Sequence, residues 1–172
     1  MIIFTPNTSV VQENRQPTTK VKLISHRGNI LGKEPEKENT PSQVDKALSL
    51  GYYCEIDVWY HQHEFWLGHD GPEHRVDLQW LTDRNIGLFI HCKDLVTISY
   101  FKYLQEEMLV DLNYFFHQKD DCTITSRGDI WVFPGKQPLK NSIAVLPEIH
   151  DDDVSQASGI CSDYIKNYEN FN

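Results

Sequence analysis

The stretch Tyr52-Tyr53-Cys54-Glu55-Ile56-Asp57-Val58-Trp59-Tyr60 sets two carboxylates two residues apart inside a β-branched and aromatic run. Such a run reads as a strand. On a strand, Glu55 and Asp57 point to one face, and Cys54, Ile56 and Val58 to the other. If the apolar parity packs under helices, the two acids face a sheet interior, where an unpartnered carboxylate is costly to bury. A hard divalent cation offsets that cost, because Mg²⁺ or Ca²⁺ takes carboxylate oxygens. The alternative is a solvated face on which the two acids do nothing.

Working outward, residues 21–25 read as a short strand ending at His26-Arg27-Gly28, followed by a polar loop to Asn39. Thr40-Pro41 opens a helix, since Thr caps and Pro is tolerated at the first helical position. Val44, Ala47, Leu48 and Leu50 give it an apolar stripe, and Gly51 closes it. Beyond the central strand, Phe65-Trp66-Leu67 is a short strand ending at Gly68-His69-Asp70, and residues 77–84 give one or two helical turns. Residues 87–92 form a buried-type strand, and Leu95, Ile98, Phe101 and Leu104 the face of a helix. Later strands fall at 113–116, at 122–125 and 130–133 as a hairpin, at 143–146 and at 159–161; Ser162 caps a terminal helical segment over 163–168.

This alternation predicts an α/β chain of parallel βαβ units. Polar residues follow successive strands: His26, Glu55 and Asp57, His69, His91 and Lys93, His117, and Glu148. In a (β/α) barrel, strand ends and the loops after them meet at one mouth, where the chemistry sits. A full eight-unit barrel takes about 250 residues, and this chain has 172. The expectation is a compact, reduced TIM-barrel-like fold over residues 21–172, with several helices shortened or missing in the C-terminal half. Residues 1–20, without a sustained period, read as an N-terminal tail or arm.

A net charge of −9 argues against nucleic acid or an anionic membrane as partner, since both need a basic surface. It leaves room for a local cationic pocket around a small anionic substrate. No apolar stretch approaches a membrane span, and no secretory leader is visible. The four cysteines form no C-x-x-C pair, so buried thiols are expected ahead of disulfides or a zinc site, and with them a cytoplasmic location.

His26 and His69 both end strands beside glycines, and two imidazoles can serve as general base and general acid near neutrality. Arg27 can grip a phosphate with its planar fork. Taken singly, each reads more readily as a structural histidine or a surface ion pair. In order, however, His26-Arg27-Gly28, Glu38-Asn39-Thr40, Glu55-Ile56-Asp57 and His69-Asp70 resemble the glycerophosphodiester phosphodiesterase family, within the phosphatidylinositol-phospholipase-C-like phosphodiesterases. The resemblance covers residues 23–70, resumes at 89–93, and returns at Gly159-Ile160-Cys161-Ser162-Asp163 as the closing strand and turn.

The resemblance implies His26 and His69 as the acid–base pair, Arg27 and Lys93 as catalytic cations that bind phosphate, and Glu55 and Asp57 as metal ligands. Glu38 stands at the site edge toward metal or substrate, with Asn39 ordering its loop. The family carries a glutamate two residues before its lysine, as a third metal ligand; here that position is His91. A softer imidazole shifts the metal preference from Mg²⁺ or Ca²⁺ toward Mn²⁺ or Zn²⁺, or else Glu148 supplies the lost charge. The family's insertion after Asp70, which helps recognise glycerol, is not recognisable. His117 is either a substrate contact at the mouth or an ordinary loop histidine. Trp131, Phe133 and Pro134 read as core and rim packing, with a sugar-stacking platform as the alternative. The function this resemblance implies is a metal-dependent phosphodiesterase acting on a glycerophosphodiester or related small-molecule phosphodiester by way of a cyclic phosphate. Its rivals are a lyase or transferase that stops at the cyclic product, and a silent phosphate-ester-binding protein.

Overall fold

The computed structural model describes residues 20–171, so all but the last residue of the expected tail lies outside the described residues. Ten strands and three α-helices follow in the order β1 (Lys22–His26), α1 (Pro41–Ser49), β2 (Tyr53–His61), β3 (Glu64–Leu67), β4 (His74–Val76), α2 (Leu78–Asp83), β5 (Leu88–Cys92), α3 (Leu95–Glu107), β6 (Tyr114–Phe115), β7 (Cys122–Ile124), β8 (Ile130–Val132), β9 (Ser142–Val145) and β10 (Gly159–Ser162). Each helix starts on a side-chain cap. Thr40 accepts from the Gln43 amide, Asp77 from Trp80 and Asp94 from Thr97, satisfying donors that a helix start leaves free.

The chain is a mixed α/β protein built on one curled sheet. Seven strands run parallel in the order β6-β5-β2-β1-β10-β9-β8. β2 outruns β1, and its second half pairs antiparallel with β3 on the side β1 leaves vacant. β4 extends that hairpin. The curl brings side chains from the two ends of the parallel set together: Phe115 of β6 and Trp131 of β8 lie 4.6 Å apart between ring centroids. No backbone ladder joins β6 to β8 among the described residues. The gap is spanned by the β7–β8 hairpin, where the Ser126 amide donates to the Tyr114 carbonyl (2.8 Å) and Thr123 Oγ1 to the Phe116 carbonyl (3.1 Å).

Strand parity divides the interior. Ile24, Phe89, Phe115, Trp131, Ile143 and Cys161 fill the concave face. Cys54, Ile56 and Val58 lie on the opposite face, packed with Val44 and Ala47 of α1 and Phe101 and Leu104 of α3. All three α-helices precede residue 108; only 3₁₀ turns at Pro147–Ile149 and Ile165–Tyr168 follow. The helical segment expected over 163–168 is thus cut to its last four residues. Ahead of it the Tyr164 amide donates to Ser162 Oγ (2.9 Å) and the Asp163 amide to Glu148 Oε1 (3.1 Å).

No helix among the described residues is long and apolar enough to cross a membrane. All four cysteines are free thiols, with Cys54, Cys92 and Cys161 buried and Cys122 exposed.

Phe89 is buried between Tyr53 and Trp131, so Phe89→Ala should cost about 3–5 kcal/mol of unfolding free energy. Leu95→Ala, at a 70% exposed position on α3, should cost less than about 0.5 kcal/mol. Equilibrium denaturation of both variants beside the parent chain checks the pair; equal losses would contradict the placement of the core.

Candidate active site

The C-terminal ends of β1 and β5, with the middle of β2 between them, carry the polar layer of the concave face. Register sets His26 beside Glu55, and Asp57 beside His91. Asp57 is buried, and four groups reach its carboxylate. His91 Nδ1 stands 3.0 Å and Lys93 Nζ 2.9 Å from Oδ1; Arg27 Nε stands 3.0 Å from Oδ2, to which Asn39 Nδ2 also donates at 3.0 Å. Asn39 Oδ1 accepts the Asp57 amide at 2.9 Å, so a single side-chain amide brackets the residue. Burial opposes ionisation of Asp57, but the His91 bond and the charges of Lys93 and Arg27 outweigh it and hold its carboxyl below the usual range.

Glu55 differs. It is buried, its Oε2 receives only the Arg27 amide at 3.3 Å, and His26 Nε2 stands 3.9 Å away. Burial and the Asp57 charge raise its pKa, with His26, Arg27 and His91 opposing. The layer therefore retains a carboxylate whose charge the chain does not fully compensate.

Arg27 and Gly28 form a tight turn after β1. Both have positive φ (52° and 87°). A Cβ on Gly28 would stand 2.7 Å from Gln43 Cγ, so glycine permits the approach of α1. His26 Nδ1 pairs with Asp163 Oδ1 at 2.7 Å, and that oxygen also accepts from Asn29 Nδ2 at 2.8 Å. Burial disfavours the charged imidazole, but the Asp163 bond and the Glu55 charge prevail and raise its pKa above 6.5. Donation from Nδ1 to Asp163 leaves Nε2 toward Glu55 and the cavity. Asp163 escaped the sequence reading as a site residue. The signal was present, because it directly follows β10 on the inward parity of Cys161.

His69 follows β3, held by a Gly68 amide bond to the Asp57 carbonyl (3.2 Å) and by Trp59 Nε1 donating to the Gly68 carbonyl (2.7 Å). Its Nδ1 pairs with Asp70 Oδ1 at 2.7 Å. His91 stacks on Phe115 (5.2 Å) and on His117 (4.3 Å), and Phe133 meets His117 edge-on at 4.3 Å. Burial, with the nearby charges of His91 and Lys93, lowers the His117 pKa to about 4.

These groups border a cavity of about 610 Å³. His26, Arg27, His69, His91, Lys93 and His117 all line it; Gln118, Lys119, Trp131, Phe133, Pro134, Val145 and Leu146 complete the wall. No aspartate or glutamate is among the lining residues, although the chain carries a net charge of −9.

Glu55, Asp57 and His91 each offer one ligand atom, all within 4.8 Å of one another. The donor set, two carboxylates and an imidazole, suits a divalent cation, and the under-compensated Glu55 favours one. His91 Nδ1 lies 3.0 Å from Asp57 and 4.0 Å from Glu55; it either donates to Asp57 or, deprotonated there, offers that nitrogen to a cation. Glu38 and Glu148, also expected as ligands, stand outside the group. Glu38 accepts instead from Arg27 Nη1 (3.1 Å) and Asn29 Nδ2 (2.8 Å). Glu148 Oε1 accepts from Ser162 Oγ (2.9 Å), a side chain on the outward parity of β10, so the 3₁₀ turn carries Glu148 against the outside of the sheet.

Comparison with protein-family models, curated proteins and solved structures finds no match to this chain.

Imidazole NMR on chelator-treated protein should give a His117 midpoint near 4 and a His26 midpoint above 6.5. Asp163→Asn removes the carboxylate charge that favours the His26 cation and should lower the His26 midpoint while leaving His117 in place. A His26 midpoint indifferent to that substitution would refute the pairing.

Proposed function

We propose that the cavity binds a phosphodiester and cleaves it by acid–base catalysis between His26 and His69, aided by a divalent cation. The observation that carries this reading is the cavity's charge: two guanidinium and ammonium groups near the acids, Lys119 and four imidazoles, with no acid on the wall of an acidic chain. A small anion is the ligand such a wall selects. The curled sheet is read as a reduced (β/α) barrel in which a hairpin replaces ladder closure, putting this cavity at the strand C-termini where barrel enzymes work.

Arg27 and Lys93 would hold the phosphoryl oxygens. His26, its tautomer set by Asp163, has Nε2 available to take the proton of an attacking hydroxyl. His69 would protonate the departing alkoxide. If the nucleophile is the substrate's own neighbouring hydroxyl, a new P–O bond closes a cyclic phosphate as the leaving P–O bond breaks; water then opens the ring by the reverse proton transfers. A cation on Glu55, Asp57 and His91 would stabilise charge developing on phosphoryl oxygen.

One observation favours a second reading, a catalytically silent phosphate-ester-binding protein: both Asp57 oxygens already touch Lys93, Arg27, Asn39 and His91. Calorimetry with Mg²⁺, Ca²⁺ and Mn²⁺, with Glu55→Gln as control, separates the two. Catalysis requires binding that the substitution weakens; absent or unaltered binding supports the silent protein.

His26→Ala and His69→Ala should each lower turnover more than about tenfold, since such roles are commonly worth 10²–10⁴-fold. A screen of glycerophosphodiesters, lysophospholipids and sugar-phosphate diesters provides the assay, and product analysis shows whether a cyclic phosphate accumulates. Parental rates in either variant would defeat the assignment.

A further inference from the structure

We propose that the wall built by the ends of β8 and β9 is a subsite for a hydrocarbon-rich, uncharged or anionic ester group, and that it disfavours cationic amino-alcohols such as choline and ethanolamine. The inference rests on the phosphodiester reading and names the substrate class for it.

Three observations carry it. Phe133 and Pro134 follow β8, Val145 and Leu146 end and follow β9, and Trp131 lies beneath them; all five border the cavity. A polyol or sugar in this position would need partners for several hydroxyls, since an unpaired polar group is costly to desolvate. Among the described residues the lining holds no Asp, Glu, Asn, Ser or Thr, and Gln118 is its one amide. Apolar surface is what the Trp131, Phe133, Pro134, Val145 and Leu146 side of the cavity can match.

The second observation is backbone conformation. Leu146 sits at φ 46° and ψ 50°, in the left-handed region that Gly or Asn enters at less cost than a branched apolar residue. A leucine held there, with its side chain on the cavity, points to a use for that side chain. The third is charge. Arg27, Lys93 and Lys119 border the cavity and no carboxylate does, so an ammonium group would meet repulsion without an acidic partner. The carboxylates of Glu55 and Asp57 are buried beneath; Asp57 already engages Arg27 and Lys93, and His26 stands between Glu55 and the cavity, 3.9 Å from its carboxylate.

Calorimetry with phosphate monoesters in the presence of Mg²⁺ tests this without requiring turnover. n-Butyl phosphate should bind at least tenfold more tightly than methyl phosphate, against a ceiling of roughly fourfold per fully buried methylene. Phosphocholine should bind no more tightly than methyl phosphate. Leu146→Asn, which suits the left-handed backbone, and Phe133→Ala should each bring the butyl-to-methyl ratio to within about threefold of unity. Equal affinities for butyl and methyl phosphate, a preference for phosphocholine, or an undiminished ratio in Leu146→Asn would overturn the subsite while leaving the phosphodiester reading intact. No binding of any monoester would instead bring down that reading, and the subsite with it.

Discussion

A carboxylate sealed in the middle of the longest strand, where its parallel pairing gives out, governs this structure. Asp57 is 1% exposed, and leaving one buried charge unpaired costs several kcal/mol. Compensation comes from separate parts of the chain: Arg27 after β1, Asn39 before α1, and His91 and Lys93 at and after the end of β5. Each must reach the same two oxygens, so the turn after β1, the loop before α1 and the register of β5 are tied together. Arg27 and Asn39 both adopt positive φ to do so. Backbone cost is accepted where an ion pair requires it.

Beneath that layer the concave face is apolar, with Phe89, Phe115 and Trp131 in mutual contact. Along β1, β5 and β10 the order is the same, apolar first and polar at or just past the C-terminal end: Ile24 then His26, Phe89 then His91, Cys161 then Asp163. Water is excluded from below and admitted from above, so the charges at the boundary interact through a medium less polarisable than water. That is why the acids next to each other diverge. Asp57 has donors enough to stay ionised, whereas Glu55, with one weak amide contact, is driven toward its proton.

Much of this was legible from residue order. Period-2 alternation in residues 52–60 sorted Glu55 and Asp57 from Cys54, Ile56 and Val58, because parity on a strand is local geometry. Thr40-Pro41 marked the start of α1 for the same reason. What escaped depends on distance along the chain. The inward parity of Asp163 is local, but its pairing with His26 spans 137 positions, and no local pattern encodes a partner so remote. Glu38 and Glu148 carried the right chemistry, but Asn29 with Arg27 captures one and the outward-facing Ser162 the other. The antiparallel β3, placed where β1 ends, was hidden too, since strand direction follows from which edge is vacant.

With no α-helix after α3 among the described residues, the outside of the sheet is covered differently there. A helix lies about 10 Å from a sheet and needs large side chains between; a coil can lie directly on the strand only if they are small. β9 presents Ser142 and Ala144 outward, both fully buried. Ser142 Oγ donates to the Leu139 carbonyl (2.7 Å) and receives Gln137 Nε2 (3.1 Å), so the loop is fastened by hydrogen bonds in place of an apolar helix face. Stability on this side then shifts inward, to Trp131 and Ile143 on the concave face. The same short connections that dispense with helices leave Phe133, Pro134 and Leu146 at the rim. The economy of the fold and the apolar character of the cavity wall thus have one origin: segments freed from covering the sheet are spent on shaping its mouth.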